Sequence, residues 1–144
     1  MQKRLFLFAL VFLLAGFARA GGPGASTRFV VSVPEVLLLR INGVASGEVP
    51  VRVSEGRVSP AVLHVEVVAN TGWRLTVRAA PLRGPLVLPA ERLRLEGRPL
   101  SELEQTVRSG AGPAVFDLPL DVELFPGEPK GEYRSLLTFE LYRL

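Results

Sequence analysis

Hydrophobic and polar positions alternate with a period of two along most of the chain, the pattern of strands with one buried and one wet face. Phe29, Val31 and Val33 alternate with Arg28 and Ser32 until Pro34 interrupts. A more continuous apolar run, Val36 to Ile41, closes at the turn pair Asn42-Gly43. Val49, Val51 and Val53 alternate with Pro50, Arg52 and Ser54 and stop at Glu55-Gly56. Leu63, Val65 and Val67 alternate with His64, Glu66 and Val68 up to Asn70-Thr71-Gly72. Trp73, Leu75, Val77 and Ala79 then alternate with Arg74, Thr76 and Arg78, and Leu93 and Leu95 with Arg92, Arg94 and Glu96 before Gly97.

The clearest alternation runs from Phe116 to Leu124, with Asp117, Pro119, Asp121 and Glu123 on the polar face. Proline cannot donate a ladder hydrogen bond, so this strand is expected at a sheet edge or bulged at Pro119. A last strand is expected over Tyr133–Tyr142, with Leu137, Phe139 and Leu141 on one face. Leu100, Leu103 and Val107 have helical spacing behind a possible N-cap, Ser101, which predicts one short helical crossover near 100–107. Half-polar strands cannot be buried on both faces, which disfavours a parallel sheet. The expected fold is all-β, an immunoglobulin-like antiparallel β-sandwich of seven to eight strands, with a small closed barrel as the alternative.

The N-terminus departs from this pattern. Lys3 and Arg4 precede the apolar run Leu5–Phe17, and Ala18-Arg19-Ala20 places small residues before Gly21-Gly22-Pro23-Gly24. That is the layout of a secretory signal peptide. The run is too short for a comfortable membrane span, which takes about twenty residues. The organisation expected is a cleaved signal over 1–20, a flexible Gly-rich leader over 21–27, and one sandwich domain over 28–144. No membrane span is expected to remain after cleavage.

Charge and cysteine content narrow the function classes. The chain carries 17 Lys+Arg against 14 Asp+Glu, and Lys3, Arg4 and Arg19 supply that excess, so the side chains balance from Gly21 onward. A balanced domain argues against nucleic acid as partner. There is no Cys, hence no disulfide and no thiolate metal site in an exported protein.

Two segments resemble a known family. Asn70-Thr71-Gly72-Trp73-Arg74-Leu75-Thr76-Val77 resembles the Gly-Trp-x-Leu-x-Val strand of the WxL domains, secreted bacterial cell-surface modules. Gly131-Glu132-Tyr133, followed by Leu137-Thr138-Phe139-Glu140-Leu141, resembles their closing segment, with Phe139 in place of the second Trp. The same Gly-x-Tyr closing strand is similar to those of fimbrial-subunit sandwiches. The likeness covers roughly 70–144 and implies a secreted sandwich in which Trp73, Leu75, Tyr133, Leu137, Phe139 and Leu141 are core residues. Phe139 departs from the pattern tied to peptidoglycan binding in that family.

Candidate chemistry is sparse. His64, the single histidine, is expected on a wet strand face, with neither a nucleophile elbow nor a glycine-rich oxyanion loop in the sequence. Asp117, Asp121 and Glu123 share a strand face, where a solvated edge or cross-strand ion pairs are expected in preference to a calcium loop. Arg74, Arg78, Arg92 and Arg94 form a possible basic stripe, which Glu66, Glu91 and Glu96 are placed to neutralise. No catalytic residue, cofactor or metal site is expected. The reading is an exported, non-catalytic cell-surface or envelope module whose partners are a wall or envelope polymer or other surface subunits. The alternative is a fimbrial-type filament subunit that adds a strand to its neighbour through an arm carrying Phe29, Val31 and Val33. An envelope-polymer hydrolase ranks behind both.

Overall fold

The structure, a computed structural model, describes residues 27–144 and the backbone of residues 12–16. It divides into two compact units, residues 1–36 and 37–144. In the first, β1 (Phe12–Gly16) pairs antiparallel with β2 (Arg28–Ser32), Leu14 opposite Val30. Phe29, Val30, Val31 and Val33 are all exposed. The cationic start, the expected cleavage point at Ala18-Arg19-Ala20 and the glycine-rich leader up to Ser26 lie outside the described residues.

The second unit is all-β and antiparallel, two sheets in a sandwich-like arrangement. Seven strands of five or more residues carry it: β3 (Leu37–Ile41), β4 (Glu48–Ser54), β6 (Val62–Ala69), β7 (Gly72–Ala79), β12 (Gln105–Ala111), β13 (Ala114–Val122) and β14 (Tyr133–Arg143). Five short strands complete the sheets: β5 (Arg57–Ser59), β8 (Leu82–Arg83), β9 (Val87–Leu88), β10 (Leu93–Leu95) and β11 (Arg98–Pro99). One sheet has the order β11-β10-β13-β6-β3, the other β12-β7-β14-β4-β5 with β8 and β9 attached beside β14.

The alternation in the sequence becomes burial. Val49, Val51 and Val53 of β4, Leu63, Val65 and Val67 of β6, and Trp73, Leu75 and Val77 of β7 are all buried. Leu118 and Leu120 of β13 and Tyr133, Leu137 and Phe139 of β14 join them in one core, with Leu141 packed at its margin. Full burial of such a side chain is worth about 1.5–3 kcal/mol relative to exposure, which is why a domain of this size holds together without cross-links.

Tight turns set the register. Asn42-Gly43, Glu55-Gly56 and Glu96-Gly97 each place two successive residues at positive φ, between 51° and 78°. This is the primed turn whose twist matches that of paired strands, and glycine takes its second position without strain. Ile41 and Val44 exchange both backbone hydrogen bonds across the first of them.

Two expectations are corrected. No helix forms over 100–107; among the described residues the one helical turn is a single 3-10 turn at Ala90–Arg92. The backbone around Leu100 is extended because Leu100 donates to the Leu93 carbonyl while Ser101 accepts from Ala79. Ser101 does cap, but only a local turn: its hydroxyl oxygen accepts from the Leu103 amide at 2.9 Å. Nor is the Phe116–Leu124 strand at an edge, since β13 lies between β6 and β10. Leu120 donates to Ala61 on the β6 side, so alternation points the Pro119 nitrogen to the β10 side. There it meets Glu96, where β10 has already entered its turn. No ladder hydrogen bond is required from Pro119, and proline fits inside the sheet.

Candidate functional site

The side chains with chemistry lie on the outer faces of the two sheets. On the first, His64 of β6 and Asp117 of β13 are cross-strand partners, and the imidazole Nδ1 lies 2.6 Å from a carboxylate oxygen of Asp117. Both side chains are more than half exposed. Asn42 accepts from the His64 amide at 2.8 Å, so the pair is held by the backbone of the first turn. The neighbours of His64 and Asp117 along their strands are Val62, Glu66, Val115 and Pro119, none of which carries a hydroxyl or thiol.

The acidic face of β13 resolves into pairs. Asp117 meets His64, Glu123 meets Arg94 at 3.0 Å, and Asp121 accepts from the Val122 amide. Arg40 and Glu66 form a further pair at 2.9 Å across β3 and β6. Among the described residues no three histidines or carboxylates converge as a metal cluster. The basic stripe does not assemble: Arg74 and Arg78 belong to β7 in one sheet, Arg92 and Arg94 to the 3-10 turn and β10 beside the other. Arg92 instead lies over the Phe125 ring, 3.7 Å from its centroid, and donates to Glu128 at 2.5 Å. That bond and the Phe125 amide hold the Glu128 carboxyl below its ordinary range, and the Arg92 guanidinium is pushed up by the same contact.

Trp73 is a core residue. Its indole N–H donates to the Gly112 carbonyl at 2.8 Å, and its ring stacks on Phe116 with centroids 6.3 Å apart. Arg108 lies over the Phe116 ring, 4.7 Å from its centroid, and pairs with Glu96. The indole is only 2 % exposed, which leaves no platform for a sugar.

The second sheet carries the arrangement that sequence reading missed. Arg83 of β8, Arg134 of β14 and Arg52 of β4 are direct cross-strand partners, three arginines in one row. Arg57 of β5 is the diagonal neighbour of Arg52, since Ser54 pairs with Arg57 and Arg52 with Ser59. Glu132 is bonded by two of them, Arg134 at 2.7 Å and Arg52 at 3.2 Å, which holds its carboxyl below the ordinary range. Each arginine is exposed, but only the pairing register brings them together. Further along the same face, Tyr142 bonds Glu104 at 2.9 Å and also Glu140, and lies beneath Arg74. The two carboxylates push the Tyr142 phenol well above its usual range.

An open cleft of about 290 Å³ lies where the first turn meets β4, lined by Ile41, Val44, Val49, Pro50 and Pro60 among others. The arm residues Phe29 and Val31 on β2, and Val33 just after it, belong to the other unit and are exposed. Among the described residues no helix is long and apolar enough to cross a membrane. Comparison with protein-family models, with curated proteins and with solved structures finds no match to this chain.

Proposed function

We propose that this protein is an exported, non-catalytic module of the bacterial cell surface or envelope, where it binds wall or envelope polymer or forms part of a surface assembly. The observation that carries this reading is how the polar side chains are spent. His64, Asp117, Glu123, Arg94, Arg40 and Glu66 are committed to pairs across neighbouring strands of an exposed sheet face. The interior is given to Trp73, Tyr133 and their apolar neighbours. The product is a broad, wet, charged surface, suited to contacting a polymer along its length and poorly suited to enclosing a reacting group. Further support comes from the signal-peptide layout of residues 1–20 and from the likeness of the Trp73 and Tyr133 strands to WxL modules.

The test is to express the full chain with a C-terminal tag in a bacterial host and fractionate the cells. The expected result is a product in the envelope or medium that begins at Gly21. Full-length protein confined to the cytoplasm would overturn the reading.

A second reading, the filament subunit, is favoured by one observation: β2 pairs with β1, and β1 lies within the apolar run assigned to the signal. Cleavage after Ala20 would remove that partner and leave the strand that carries Phe29 and Val31, with Val33 just beyond it, free to add to a neighbour's sheet. Deletion of residues 21–33 from the exported protein separates the readings. Loss of higher oligomers with the fold retained supports the filament, whereas an unchanged monomer supports the independent module.

A further inference from the structure

The row Arg83–Arg134–Arg52 runs against the rule that like charges directly opposite in a sheet repel. Directly opposed residues have Cα atoms about 4.5–5.5 Å apart, so the three positions span only about 10 Å. Arg57 extends the row at the diagonal spacing of about 7–8 Å. Against four cations the row holds one carboxylate, Glu132, bonded to Arg52 and Arg134. Three strand arginines outside the row are each matched one to one with a carboxylate: Arg40 with Glu66, Arg94 with Glu123 and Arg108 with Glu96. The side chains of Arg52 and Arg134 are 59% and 72% exposed, and Arg57 and Arg83 are exposed as well. Their forks are therefore open to solvent, although Glu132 already orients two of them.

We propose that this row is a binding track for an extended anionic polysaccharide, one whose sugars carry sulfate, phosphate or carboxylate groups. The proposal rests on the envelope reading above and names the ligand class for it. The planar guanidinium presents paired donors that match the paired oxygens of such groups, and a row of them engages successive groups along one chain. A single thin polymer fits a narrow track. A nucleic-acid duplex, broad and charged on both strands, would also meet Glu48, Glu104 and Glu140 farther along the same sheet. The track is flat and lined by exposed side chains, so each contact is weak and screened by salt, and affinity comes from several contacts made together.

The experiment uses protein exported from the full-length chain, with dextran sulfate as the anionic probe, neutral dextran as control and a short DNA duplex as competitor. The row variant is Arg83→Gln with Arg134→Gln; a control variant, Arg78→Gln with Arg98→Gln, removes equal charge elsewhere. The expected result is salt-sensitive binding to dextran sulfate alone among the dextrans, weakened about tenfold in the row variant and less than about twofold in the control. Circular dichroism verifies that both variants fold. Equal weakening in the two variants, no binding by the wild type, or DNA binding as tight as the glycan each overturns the proposal. Unchanged delivery of the row variant to the envelope fraction would separate failure of the track from failure of the export reading.

Discussion

The Tyr133 hydroxyl donates a 2.8 Å hydrogen bond to the carbonyl of Pro129, four residues earlier, and ties the first residue of β14 to the loop that delivers it. Tyr133 is completely buried. A tyrosine at a strand start that bonds backward to its own loop is a recurrent corner of immunoglobulin-like sandwiches. Here it sits at the start of the strand that pairs with both β4 and β7, so loop and central strand are fixed together. Replacing it separates two effects. Tyr133→Phe removes only the hydrogen bond and is expected to cost about 1–2 kcal/mol. Tyr133→Ala also opens a cavity and is expected to cost about 3–5 kcal/mol. Urea unfolding of the two variants checks the ordering; equal costs would mean that the hydroxyl holds the corner alone.

Trp73 and Gly110 are cross-strand partners with no room between them. A Cβ added at Gly110 would lie 2.7 Å from the indole ring. The ring is fixed on its other sides by the Gly112 carbonyl and Phe116, so it has little freedom to yield. Gly110→Ala is expected to destabilise by about 1–3 kcal/mol. Because Trp73 is the single tryptophan, its emission also reports the displacement. An unshifted spectrum and unchanged unfolding midpoint would contradict the packing described here.

The contact between Arg92 and Glu128 makes stability depend on acid. The Glu128 carboxyl is held below its ordinary value of 4.5, first by the Arg92 hydrogen bond and next by the Phe125 amide. A carboxyl with a lowered folded value stabilises the protein above its unfolded value, and loses that contribution as pH falls through the folded one. The melting temperature is therefore expected to drop below about pH 4.5. Glu128→Gln should lower it at neutral pH and flatten the acid limb. Part of the slope should survive, because Glu132 is lowered in the same way by Arg134 and Arg52. An acid limb as steep in Glu128→Gln as in the wild type would contradict the assignment.

His64 and Asp117 look like two members of a catalytic set, yet both project from the wet face of their strands. Exposed pairs of this kind contribute about 0–1 kcal/mol. His64→Ala is expected to leave the unfolding midpoint nearly unchanged and envelope retention intact. Hydrolysis of an ester or glycoside panel that vanished in this variant would instead make His64 catalytic.

The sequence showed the strands wherever one face was wholly apolar. Val49-Val51-Val53 and Leu63-Val65-Val67 needed nothing else, and Asn42-Gly43 and Glu55-Gly56 marked their turns. It misled where spacing alone was used. Leu100 and Val107 share a helical interval by coincidence, for Leu100 is buried in the core, Leu103 is 78% exposed, and Val107 lies on a strand. From sequence alone Pro119 implies an edge or a bulge; with its neighbours known, whether proline is tolerated depends on which side its nitrogen faces. The arginine row was invisible for a related reason. Arg52, Arg83 and Arg134 lie far apart in sequence, and only the registers of β4, β8 and β14 set them side by side.

The central claim is that an exported sandwich contacts envelope material through its exposed surface and carries out no reaction there. Its most direct test is to mix the protein exported from the full-length chain with envelope material isolated from the cells that make it, then to sediment and measure what is retained. The account predicts specific, saturable retention that high salt releases, with the polymer recovered chemically unchanged. No retention beside a positive control, or recovery of a cleaved polymer, would contradict it.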